Sequence, residues 1–80
     1  MEDKIRNLIE KDIVDAGYIL SSVKLENEGS TLFLRVFIDK AEGISVEDCV
    51  NVSQIINPIL DREDPIEESY VLDVSSIERG

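Results

Sequence analysis

Between Thr31 and Asp39 the side chains alternate without a break. Leu32, Leu34, Val36 and Ile38 fall on one parity, and Phe33, Arg35 and Phe37 on the other. A period of two gathers one parity onto one face only if the chain is extended, since a helix would scatter the same residues around its axis. The segment is therefore a strand. A lone strand is not stable in water, so the rest of the chain must supply both sheet neighbours and a layer over the apolar face. This strand is the most apolar of the candidates, which places it at the centre of the sheet.

The flanking segments fit those two needs. Asp3 to Ala16 has helical period, with Ile5, Leu8, Ile9, Ile13 and Ala16 on one side. Asp3 is a candidate cap at its start, and Gly17 suits the left-handed residue after its end. Asp12 falls inside the apolar arc and is expected at its margin, reaching solvent or a backbone donor. Tyr18 to Glu26 reads as a strand, followed by a turn of Asn27, Glu28, Gly29 and Ser30. After a loop from Lys40 to Ile44, Ser45-Val46-Glu47-Asp48 has the pattern of a capping box. The helix it opens collects Cys49, Val52, Ile56, Ile59 and Leu60 on one broad face. Pro58 lies on the opposite side, where its missing N–H predicts a bend or an early end. Asp61 to Pro65 reads as an acidic turn. Glu68 to Ser76 reads as a third strand, with Tyr70, Leu72 and Val74 on one side.

The element order is helix, strand, strand, helix, strand. The fold class is α+β: a two-layer α/β sandwich with two helices on one face of a three-stranded sheet. The third strand is expected beside the central one and parallel to it, through a right-handed crossover.

The 80 residues make one domain, 1–80. Its longest apolar runs are too short to span a bilayer, and Met1 is followed by Glu2 and Asp3 rather than by a secretory signal. The one cysteine, Cys49, rules out an internal disulfide and suits a reducing cytoplasm. Eighteen acids against eight bases give a net charge of −10. That field repels DNA, RNA phosphates and anionic lipid, and attracts basic proteins.

The chemistry of catalysis is thin. The chain has no histidine, the commonest general base and metal ligand. Cys49, on an apolar helix face and without a histidine partner, reads as a buried structural thiol. Asp61, Glu63 and Asp64 lack the alternating ligands and glycine of a calcium loop, and no glycine-rich phosphate loop is present. No cofactor is expected. If the Leu34 side of the central strand faces the helices, then Phe33, Arg35 and Phe37 lie on the open face, where Lys24, Val71 and Asp73 can join them. A half-covered sheet normally carries polar residues there, so two phenylalanines suggest a surface that a partner covers.

Several stretches, taken in order, resemble a known family. They are Gly17-Tyr18-Ile19-Leu20, Leu34-Arg35-Val36-Phe37-Ile38-Asp39-Lys40 and Gly43-Ile44-Ser45-Val46-Glu47-Asp48-Cys49. Val52-Ser53, Leu60-Asp61, Glu63-Asp64-Pro65-Ile66 and Tyr70-Val71-Leu72-Asp73-Val74-Ser75-Ser76 follow. The succession is similar to the N-terminal domain of the bacterial ribosome maturation factor RimP, from about Gly17 to Ser76. The resemblance implies the same helix-strand-strand-helix-strand build. It also implies a non-enzymatic role in late maturation of the small ribosomal subunit, in the cytoplasm. The family pairs this domain with a C-terminal SH3-like barrel, which is absent from residues 1–80. It usually has Pro-Gly after the paired serines, where this chain has Ile77-Glu78-Arg79-Gly80.

Three functions compete. The first is a monomeric module that binds the maturing small subunit, through basic ribosomal proteins rather than RNA phosphates. Its candidate contacts are Phe33, Arg35, Phe37, Asp61, Glu63 and Asp64. The second is a single-strand RNA binder that stacks bases on Phe33 and Phe37; the net charge argues against it. The third is an acidic enzyme built on Asp61, Glu63 and Asp64, which would need a cleft that separates their pKa values.

Overall fold

The computed structural model describes residues 1–77. Its elements are α1 (Glu2–Asp15), β1 (Ile19–Glu28), β2 (Thr31–Asp39), α2 (Val46–Glu63) and β3 (Val71–Ser76). The sheet order is β1-β2-β3. β2 is central, antiparallel to β1 and parallel to β3.

The alternation in β2 decides which face is covered. Leu34, Val36 and Ile38 are fully buried, whereas Phe33, Arg35 and Phe37 are half-buried on the opposite face. Ile5, Ile9 and Ile13 of α1 and Val52, Ile56, Ile59 and Leu60 of α2 join them in one core with Leu20 and Val23 of β1. Both helices therefore lie on the Leu34 side. Each such side chain taken out of water contributes roughly 1.5–3 kcal/mol. Asp12 is exposed at the margin of α1, as its position in the helical arc suggests.

The end of α1 is built by Gly17, whose φ is +95°. Its N–H donates to the Val14 carbonyl (2.9 Å) and the Tyr18 N–H to the Ile13 carbonyl (3.1 Å). This is the Schellman arrangement, and it turns Tyr18 back onto the core beside Ile13. The start of α1 differs from expectation. Asp3 does not cap it: the cap position is Met1, which makes no side-chain bond. Glu2 and Asp3 lie instead in the first turn, where their charge favours the helix dipole. Ala16, expected on the apolar face, is exposed beyond the last helical residue.

Other boundaries move for identifiable reasons. The hairpin is tighter than expected, with Asn27 and Glu28 paired in β1 and a turn of Gly29 and Ser30 alone. Gly29 has a φ of +62° and Ser30 does not share that sign, the sense of a type II′ turn that suits strand twist. A register irregularity between Leu20 and Ser22 adds a bulge near the start of β1. Pro58 is exposed as expected but does not end α2, which runs on to Glu63. Ile59 and Leu60, just beyond the proline, are buried, and their packing outweighs the lost hydrogen bond. Asp61, Arg62 and Glu63 therefore form the last helical turn rather than a loop. Asp64 closes it at φ +45°, its N–H donating to the Leu60 carbonyl at 2.8 Å. β3 begins at Val71, not Glu68.

Candidate interaction surfaces

The open face of the sheet is assembled in register. Lys24, Arg35 and Asp73 lie across the three strands in one row, Glu26, Phe33 and Val71 in the next, and Ser22, Phe37 and Ser75 in a third. Arg35 sits at the centre. Its guanidinium lies 2.9 Å from Glu28, 3.5 Å from Glu26 and 3.5 Å from Asp73, and 4.8 Å from the centroid of the Phe33 ring. The hydrogen bond to Glu28, opposed by some desolvation, holds its pKa above the ordinary arginine value. Arg35 and Lys24 against Glu26, Glu28 and Asp73 leave this face net acidic, with Phe33, Phe37 and the exposed Ile19 and Val71 as its apolar part.

The three predicted acids divide. Asp61 and Asp64 border a shallow groove of ≈ 470 Å³ with Glu67, Glu68, Ser69 and Tyr70. Glu63 does not line it; it pairs with Arg62 at 3.0 Å on exposed helix surface. Burial raises the Tyr70 pKa, and the charges of Asp61 and Asp64 add to the shift. The acids lie at the end of the helical layer and the phenylalanines on the far side of the sheet, so the structure does not bring the two groups of candidates together. Among the described residues no group of three or more Asp, Glu, Cys or His could hold a metal ion.

Sequence reasoning read Asp48 as a capping acid and missed the rest of its role. The capping box is present: Ser45 Oγ accepts from the Asp48 N–H, and Asp48 Oδ2 accepts from the Ser45 N–H at 2.9 Å. Asp48 Oδ1 also accepts from the Tyr18 hydroxyl at 2.8 Å and the Lys40 ammonium at 3.1 Å. Only 9% of Asp48 is exposed, and its buried oxygens are satisfied. The Ser45 backbone donor, then Tyr18 and Lys40, hold its carboxyl far below the ordinary range. The hydrogen bond to Asp48 raises the Tyr18 and Lys40 pKa values in return. The cluster ties the end of α1, the loop after β2 and the start of α2 into one joint. The missed signal was a tyrosine directly after a helix-ending glycine, which must turn inward and then needs a partner for its hydroxyl.

Cys49, next to this joint, is half-buried rather than buried. Desolvation comes first, with the Asp48 and Asp73 charges behind it, in pushing its thiol above the usual pKa. Ser53 Oγ donates to the Cys49 carbonyl, so the Cys49 neighbour in the helix is occupied with backbone rather than poised as a base.

These features define the class: a two-layer αββαβ domain with an acidic surface and, among the described residues, no helix long and apolar enough to cross a membrane. A family model for the RimP N-terminal domain matches residues 8–77, nearly the whole chain, and the chain belongs to that family, one of ribosome maturation factors. The match takes in α1 from Leu8 onward, beyond the Gly17 start of the sequence resemblance. The departure from the family pattern begins at Ile77, the last described residue, and the rest of it, 78–80, lies outside the described residues.

Proposed function

We propose that this chain is a non-enzymatic module that binds the small ribosomal subunit during its maturation in the cytoplasm. It makes its contact as a monomer with basic ribosomal proteins rather than RNA phosphates. Family membership over residues 8–77 carries the ribosomal part of the reading. The state of the cations supports the protein-directed part. Arg6 is 3.1 Å from Glu10, Arg35 is held by Glu26, Glu28 and Asp73, Lys40 by Asp48, and Arg62 by Glu63. A chain of net charge −10 in which Arg6, Arg35, Lys40 and Arg62 already face carboxylates has little with which to grip a phosphate backbone. Base stacking on Phe33 and Phe37 would require RNA to approach the carboxylates around Arg35, which disfavours the single-strand reading.

Co-sedimentation tests the proposal. The domain should pellet with immature small subunits and not with mature large ones, and should not shift naked ribosomal RNA in a gel. Strong binding to the naked RNA, or equal pelleting with both subunits, would overturn it.

A further inference from the structure

The two edges of the sheet are treated differently. At the β1 edge, Arg6 donates to the Leu20 carbonyl (3.0 Å) and the Ser21 carbonyl (3.4 Å), and Glu2 accepts from the Leu25 N–H (2.8 Å). The bulge between Leu20 and Ser22 distorts the same edge. Side chains of α1 thus occupy backbone groups that another strand would need, a known defence of exposed edges. β3, the other edge strand, has no such cover among the described residues. The Ile77 N–H donates to the Ile38 carbonyl, so the odd-numbered residues of this segment face β2. By alternation, the amides and carbonyls of Leu72, Val74 and Ser76 point outward. Among the described residues none of these groups has a bonding partner.

We propose that the outer edge of β3 is a strand-addition site for an extended, basic segment of a partner protein. Main-chain pairing to Leu72, Val74 and Ser76 supplies the register, and alternate side chains supply selectivity. One set of side chains would extend the open face beside Val71, which is 46% exposed and paired with Phe33. The charge around the edge selects the occupant. Asp73 is on β3 itself, and Asp61, Asp64, Glu67 and Glu68 line the groove that reaches Leu72. A second copy of this chain would bring another net charge of −10 and a second Asp73 to the same edge, so like-charge repulsion disfavours it. A basic segment meets attraction there. This inference takes from the proposed function only the sign of the partner's charge.

Amide hydrogen exchange tests it, with a short peptide alternating lysine and valine as the probe. An equally charged peptide alternating lysine and proline, which cannot form a strand ladder, is the control. With the valine peptide, exchange at Leu72, Val74 and Ser76 should slow by about tenfold, and the proline peptide should leave it unchanged. Ser76→Pro removes one outward N–H from an exposed position without touching the β2 ladder. It should keep the melting temperature and weaken the valine peptide's effect. Equal effects of the two peptides would reduce the contact to simple charge attraction and overturn the proposal. So would an unchanged response in Ser76→Pro, or concentration-dependent protection of β3 without peptide, which would mean that a second copy holds the edge. Failure to co-sediment with the small subunit would sink the proposed function and leave these readings untouched.

Discussion

At the residue scale, Asp48 carries the clearest electrostatic consequence. Its folded carboxyl titrates well below the ordinary value, with the Ser45 donor the largest cause. A depressed carboxylate contributes stability that is present above its unfolded pKa, about 3.9, and is lost as the pH falls below that range. Asp48→Asn should therefore lower the melting temperature at neutral pH, and the gap to the unchanged protein should close in acid. A gap of equal size at both pH values, followed by circular dichroism, would refute the electrostatic account of the joint. Cys49 gives a second residue-scale expectation. With its pKa raised by burial, the folded protein holds little thiolate. Labelling by a thiol reagent should be slow in the native state and fast in denaturant; rapid native labelling would contradict the structure.

At the element scale, β2 and α2 invite opposite substitutions. Leu34 is fully buried at the centre of the core, so Leu34→Ala should cost about 2–5 kcal/mol. That is enough to unfold much of a domain this small. Phe33→Ala, on the half-covered face, should cost less; a denaturant series that ranked them the other way would invert the facing of the strand. Pro58 sits exposed inside an 18-residue helix, where it denies Gln54 a donor. Pro58→Ala should restore that bond and stabilise the fold by about 1–3 kcal/mol. The upper end is the interior penalty of proline against alanine, and the lower allows for the freer unfolded chain. A fall in the denaturation midpoint would mean that the proline ring, by its packing or by restricting the unfolded chain, contributes more than the missing hydrogen bond costs.

At the scale of the whole molecule, charge and fold can be separated by one variant. Asp61 and Glu63 lie in the last turn of α2 and Asp64 caps it. Carboxylates there oppose the helix dipole, whereas lysines favour it by roughly 0.3–1 kcal/mol each. The single ion pair affected, Arg62 with Glu63, is exposed and worth little. Changing all three acids to lysine should leave the domain folded, weaken its binding to basic ribosomal proteins and strengthen its binding to RNA. Tighter binding of that variant to isolated basic ribosomal proteins, measured at fixed ionic strength, would sink the charge argument.

What the sequence determined by itself was whatever depends on local period. The alternation in Thr31–Asp39, the three-to-four spacing in both helices and the capping box at Ser45 and Asp48 specified the element order, the covered face of β2 and the α+β class. They did so because each signal is read within a few residues. Its motifs also carried the family, which the match over residues 8–77 bears out. Boundaries escaped it where distant packing overrode local preference. α2 passes through Pro58 because Ile59 and Leu60 have a core to enter, and β1 extends to Glu28 because β2 is there to pair with it. Only the tertiary structure could separate the acids of the α2 end from the phenylalanines of the sheet. It alone could join Tyr18, Lys40 and Asp48, and show that α1 guards one edge of the sheet and leaves the other open. Those facts depend on where elements far apart in the chain come to rest, and no local pattern encodes such a distance.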